Sequence, residues 1–359
     1  MRYHQLDSLR GLAAMTVLLL HFRNLMLPEE KIASFSDWQR FLLLLSSPFT
    51  TGGEAVILFF VLSGFVLMLP YIKGTQQTYG IFVVRRILRI YGPYLCALVL
   101  AVAGAAIWHG PHKMDDWGNR IWAKPVSAHL VLQHILMIGV YNWHEFNPVF
   151  WTLIEEMRIS LIYPVLAYIV LRLPAKYAFV LAAVLALLAR GVLRIWHQAD
   201  WIMTLEYTGM FLCGMVLAKN FARVTQWYSR REPSIRIGIA SLALVLYITA
   251  HYARHASEWL MTIASMAFIV IALASRRAGG FLSININRYL GRISYSLYLV
   301  HIPVLLALTI TLNYRIPAWV ILPLFISISL LFASAFYMWI EKPFTLLSRR
   351  AARVKVLVA

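Results

Sequence analysis

Ten separate runs of this chain are apolar for long enough to cross a bilayer, which excludes most of the folds open to 359 residues. They lie near residues 9–27, 54–71, 91–108, 150–171, 177–195, 203–219, 236–253, 259–275, 295–312 and 317–340. In hydrocarbon each backbone N–H and C=O must be satisfied internally, so runs of this length read as helices. The composition agrees, at 61% hydrophobic and 13% charged, against about 45–50% and about 25% for a soluble domain. The expected fold is an all-α polytopic membrane protein of about ten transmembrane helices.

Lysine and arginine divide unevenly between alternate sides of these runs: 22 fall on one side and 9 on the other, with Arg158 and Arg190 inside spans. The positive-inside rule then puts both termini in the cytoplasm. A shorter segment at 126–141, carrying His129, Gln133 and His134, reads as an interfacial or re-entrant helix. Residues 1–344 read as one membrane-embedded domain and 345–359 as a short basic cytoplasmic tail. The first run has no small-residue cleavage site after it, so it reads as an uncleaved span. The net charge of +18 points to cytoplasmic loops, anionic lipids and an anionic cofactor rather than to nucleic acid, for which there is no motif. Cys96 and Cys213 both lie in apolar runs, which suits neither a disulfide framework nor a zinc site. No internal repeat of the transporter kind is visible.

Charged groups inside a membrane cost about 2.5–3.5 kcal/mol each on insertion scales, so each one calls for a reason. In LDSLRGLAAMTVLLLHF, Arg10 and His21 are eleven residues apart. On a helix that spacing puts them on one face, about 16 Å apart along the axis. A neutral imidazole there is a candidate general base, against the plainer reading of a helix-packing hydrogen bond. In FWTLIEEMRISLIYP (150–164), Glu155 and Arg158 are spaced to pair. That leaves Glu156 to orient the imidazole or a substrate hydroxyl, one to two turns below the outer surface. In VVRRILRIYGPY (83–94), Arg85, Arg86 and Arg89 fall in a cytoplasmic loop. They read either as positive-inside anchors or as an anion site, and Gly92-Pro93 would end or kink the segment.

Two weaker stretches complete the set. Ser63-Gly64 in TGGEAVILFFVLSGF suits close helix contact. His301 in SYSLYLVHIP reads as a packing or access-path residue. The external histidines, His109 and His112 among them, lack a third ligand at metal-site spacing, so no metal is expected.

Taken in order, these stretches resemble the acyltransferase-3 family of membrane-integrated acyltransferases. Arg10 and His21 match its first-span pair, and GGEAVILFFVLSGF is similar to its phenylalanine-rich second span. RRILRIYGPY resembles its arginine motif through Arg86 and Arg89, and WTLIEE its tryptophan–leucine–glutamate motif through Glu156. SYSLYLVHIP and WIEKPF resemble its last two spans. Ile159-Ser160 stands where the family often has Phe-Tyr, which bears on the acceptor pocket. No hydrolase-like domain follows the last span, so the resemblance is to stand-alone members.

The resemblance implies transfer of an acyl group, usually acetyl, from cytoplasmic acyl-CoA to a hydroxyl on an extracytoplasmic or lipid-linked acceptor. His21 would be the base and Glu156 its partner, with Arg10, Arg85, Arg86 and Arg89 on the cofactor side. A carbohydrate is the favoured acceptor, because Trp108, Trp117, Trp122, Tyr141 and Trp143 could stack on sugar rings; the plainer reading of those aromatics is an interfacial belt. A small antibiotic-like acceptor is the alternative. The expected place is a bacterial inner membrane. The rival from another class is a proton-coupled transporter or flippase, which would move its substrate without consuming acyl-CoA.

Overall fold

The computed structural model describes residues 3–27, 32–50, 52–110, 117–137, 142–195, 200–250, 257–312 and 316–353. Among these, every regular element is helical. In chain order they are α1 (His4–Met26), α2 (Asp37–Ser46), α3 (Gly52–Ile72), α4 (Tyr79–Arg86), α5 (Gly92–Trp108), α6 (Ala128–Leu136), α7 (Phe150–Arg172) and α8 (Ala175–Ile195). There follow α9 (Asp200–Lys219), α10 (Phe221–Ser229), α11 (Pro233–Ala250), α12 (Ser257–Ala274), α13 (Arg276–Leu282), α14 (Asn285–Thr311), α15 (Ala318–Phe336) and α16 (Lys342–Arg353). A π turn, Ile87–Tyr91, joins α4 to α5, and a second, Tyr337–Glu341, joins α15 to α16.

Each of the ten apolar runs falls on a helix. Seven stretches are long and apolar enough to cross a membrane: Asp37–Ile72, Tyr79–Trp108, Ala175–Val192, Trp201–Lys219, Pro233–Ala250, Asn285–Thr311 and Ala318–Ala351. An eighth is reached if α12 and α13, bent by 92°, form one broken span. The two expected spans outside this set are α1 and α7. Each has 23 residues, about 34 Å at 1.5 Å per residue, but α1 carries Asp7, Arg10 and Arg23, and α7 carries Glu155, Glu156, Arg158 and Arg172. With nine residues α6 is about 13 Å long, too short to cross. The proposed tail is helical to Arg353, and residues 354–359 lie outside the described part.

The chain forms two compact units, each assembled from three segments. The first holds residues 1–17, 47–76 and 158–294. Here α3 and α9 touch backbone to backbone: a Cβ on Gly64 would meet the carbonyl of Phe211, and one on Gly214 the carbonyl of Val61. Small residues permit this approach, which is how helices associate where apolar burial alone does not drive them. Tyr163 closes the contact, its hydroxyl donating to Gly64 O at 2.9 Å. Gly11 and Gly291 make a second such crossing, against Leu290–Gly291 and Asp7–Ser8 respectively. Arg190 of α8 ties Glu206 of α9 (3.0 Å) to Glu258 of α12 (2.8 Å). Arg158 donates to Thr204 at 3.4 Å and lies over the Trp201 ring at 4.0 Å.

The second unit holds residues 18–46, 77–157 and 295–359. Its core takes in Tyr94, Trp122, Phe146, Phe150 and Phe325, all fully buried. Trp122 adopts φ 55°, a left-handed backbone unusual for a bulky residue. It is held there by hydrogen bonds from its main-chain N to Glu145 O (2.9 Å), from its indole to Phe146 O (3.1 Å), and from Gly110 N to its own carbonyl (3.1 Å). Its ring fills the space left by the missing side chain of Gly104.

Candidate active site

Within the second unit α14 is the hub, and the residues from Tyr295 to His301 reach five different neighbours. The Tyr295 hydroxyl donates to Ile90 O in the first π turn at 2.8 Å, and Ser296 Oγ donates to Glu341 Oε2 in the second at 2.6 Å. Tyr298 and Thr152 of α7 share a hydroxyl hydrogen bond at 2.8 Å. Leu299 O accepts from Asn147 Nδ2 at 3.0 Å, and His301 Nε2 lies 2.9 Å from His21 Nδ1 of α1. The Leu299 carbonyl is open to Asn147 because Pro303, four residues on, has no N–H to give it.

His21 is partly buried and touches two rings. Trp117 stacks on it (centroids 5.4 Å, planes 14° apart), and the His301 ring lies 5.1 Å away. His301 is fully buried, and its second nitrogen, Nδ1, is 3.0 Å from Leu297 O. His21 stands ten residues after Gly11, and His301 ten after Gly291. Arg10 is on the same unbroken α1, eleven residues before His21. Eleven residues of helix correspond to a rise of about 16 Å.

The arginine cluster lies on a continuous helix rather than in a loop. Gly92-Pro93 does not end it, because the π turn takes up one extra residue ahead of the proline, with Gly92 N–H bonding Ile87 O five residues back. That widening relieves the clash a proline ring makes with the preceding turn. The second π turn sits in the same place before Lys342-Pro343, with Lys342 N–H bonding Tyr337 O. The ring of Phe344 lies against Gly92, where no side chain is in its way.

Arg86 and Glu156 meet in a 2.6 Å ion pair, their side chains 10% and 18% exposed. The sequence puts one on the cytoplasmic side and the other near the outer surface, and the contact corrects this. The reason is where α7 begins. Its first residue, Phe150, packs on Tyr94 (4.7 Å), fourteen residues before the end of α5, about 21 Å along the axis. Residues 117–137 and 142–149 fold in beside it, burying Trp122, His134, Glu145, Phe146 and Asn147. Asn147 caps the deep start of α7, its Oδ1 accepting from Val149 N and its carbonyl from Phe150 N. The spacing also leaves Glu156 outside a Glu155–Arg158 pair; in the structure it pairs with Arg86.

Of the other cofactor-side arginines, Arg85 is half-buried, donating to Gln77 Oε1 at 2.7 Å, while its carbonyl receives Ser348 Oγ at 3.3 Å. Arg89 is exposed on the π turn. Arg10 belongs to the first unit. Among the aromatics proposed for sugar stacking, Trp122 is fully buried and stacked with Trp108 at 6.0 Å, which removes it from any ligand surface. Trp143 stacks on His144 at 3.8 Å, and Tyr141 lies outside the described residues, as do His112, His251 and His255. Among the described residues, no group of three or more His, Cys, Asp or Glu is placed to hold a metal.

Not legible in the sequence are Tyr298, the stacking of Trp117 on the candidate base, and the contact between His301 and that base. Tyr298 bridges the two halves of the site. Its ring is 6.0 Å from that of His301, and its hydroxyl reaches Thr152, one turn before Glu156. The motif SYSLYLVH was the available signal, since it sets five polar side chains into an apolar span.

The chain matches the family model described as Acyltransferase domain over residues 3–338. It is similar to O-acetyltransferase PaAT-1 of Phomopsis amygdali, 24% identical over 374 aligned positions that take in 86% of this chain and 73% of that one. No solved structure matches it.

Proposed function

The chain belongs to the acyltransferase-3 family, and from that premise we propose that it transfers an acyl group, acetyl in the first instance, from acyl-CoA to a hydroxyl of a carbohydrate acceptor. The observation that carries this reading is His21, an imidazole held by a 2.9 Å hydrogen bond and a stacked tryptophan on a helix whose other functional group is Arg10. His21 takes the proton from the acceptor hydroxyl as its oxygen attacks the thioester carbonyl. The C–S bond then breaks, and the CoA thiolate leaves with the proton returned from His21. Arg85, Arg86 and Arg89 supply cationic donors for the phosphates of the donor, on the cytoplasmic side in the ten-span, termini-inside topology. Glu156 acts through Arg86, fixing the direction in which that guanidinium points.

The test is release of free CoA from acetyl-CoA by the purified protein in liposomes with a pool of glycan acceptors. Wild type releases CoA and acetylates acceptor, His21→Ala falls to background, and Arg85→Ala/Arg89→Ala raises the KM for acetyl-CoA. Movement of labelled glycan across the liposome with no release of CoA by any variant would overturn the enzyme reading in favour of a carrier.

A further inference from the structure

Two imidazoles in contact inside one bundle raise a question of protons. A carbonyl oxygen only accepts, so His301 Nδ1, 3.0 Å from Leu297 O, must carry hydrogen. The ring is fully buried, and burial favours its neutral form, which has one N–H and no more. His301 Nε2 therefore bears a lone pair. It faces His21 Nδ1 at 2.9 Å, where a second lone pair would repel it, so His21 Nδ1 must be the donor. In the neutral ring the basic lone pair of His21 is then on Nε2.

We infer that His301 is the positioning residue for the candidate base: it fixes His21 as the Nδ1–H tautomer and so makes Nε2 the nitrogen that takes the acceptor's proton. The inference rests on the reading of His21 as the base. In hydrolytic triads an aspartate does this work by accepting from the histidine's second nitrogen. Here a neutral ring accepts instead, which avoids burying a carboxylate among apolar helices. Leu297 O fixes the His301 tautomer, and Trp117, stacked at 5.4 Å, keeps the His21 ring from turning over. When His21 becomes imidazolium, Nδ1–H still donates to His301 and Nε2–H carries the proton to the departing thiolate, so neither ring has to move between the two transfers.

The experiment has two arms, both on the full chain in liposomes. The first is 15N NMR of histidine-labelled wild type, with the His21 resonances assigned by their loss in His21→Ala. Protonation at Nδ1 is expected; protonation at Nε2 would overturn the inference without any variant having to fold. The second compares His301→Leu with His301→Gln, whose amide oxygen can still accept from Nδ1. His301→Leu should lower kcat about 100-fold or more, with the KM for acetyl-CoA unchanged and His21 shifted toward the Nε2–H form. His301→Gln should recover at least ten-fold of that loss. Wild-type kcat in His301→Leu, alongside an inactive His21→Ala, defeats the tautomer role alone. An active His21→Ala defeats the base reading itself.

Discussion

Arg86 and Glu156 stand seventy residues apart in sequence and 2.6 Å apart in the fold. Their pairing joins the α4–α5 helix to α7 where both are surrounded by protein. Breaking one side of such a pair strands the other charge, which costs about 3–5 kcal/mol, whereas replacing both with apolar residues of similar size is close to neutral. Arg86→Met and Glu156→Leu should each lower the melting temperature in detergent markedly, and the double variant should recover most of the loss. Acyl transfer should stay impaired in the double variant, because the arginine's role toward the donor is gone. Equal melting temperatures for the two single variants and wild type would mean that the pair does not hold these helices together.

The glycine contacts between α3 and α9 permit a comparison with an internal control. Gly64→Ala and Gly214→Ala each drive a methyl into a backbone carbonyl, a neighbour that cannot step aside. Each should cost about 1–3 kcal/mol or more. A Cβ at Gly53, on the same α3, meets nothing within 4 Å, so Gly53→Ala should fall within about 0.5 kcal/mol of wild type. Thermal unfolding of the three variants in one detergent measures the difference.

His134 of the short α6 gives the second unit a dependence on pH. Burial of the ring lowers its pKa from 6.5 to about 4. It packs 4.8 Å from Phe146, and its Nδ1 lies 2.9 Å from Leu130 O. The folded state thus keeps His134 neutral where the unfolded chain would protonate it. The associated stability is complete above pH 6.5 and falls as pH drops toward about 4. His134→Phe should flatten that part of the melting-temperature profile between pH 7 and pH 5, and an unchanged slope would assign the acid sensitivity to other groups.

Much of the fold is legible in the sequence, because a bilayer permits little besides long helices. Within the described residues all ten apolar runs fall on helices, and Ser63-Gly64 marks a close crossing as expected. What the sequence conceals follows from two limits. Helical spacing says which residues share a face of α1 but not which helix lies against that face. The contact between His21 and His301, 280 residues apart, is therefore beyond its reach, and His301 reads as a packing or access-path residue. Local signals also assume water nearby. Gly92-Pro93 reads as the end of a helix or a kink in it, yet inside the bundle the helix continues through it by way of a π turn. The polar stretch before Phe150 reads as an outer loop, yet Asn147 carries it into the core by supplying the hydrogen bonds that solvent would otherwise give.

The two π turns also set how distances along this chain must be counted. Each holds one residue more than an α-helical turn has room for, and each such residue advances the helix by about 100°. Arg86 lies on one side of the first and Pro93 on the other, so the azimuth of the arginines depends on that surplus residue as much as on their own positions. A relative with the same arginines but an ordinary turn before its proline would aim them about a quarter-turn elsewhere. The length of the segment between arginine and proline is thus a phase setting, and an alignment gap there changes the site even when every named side chain is kept.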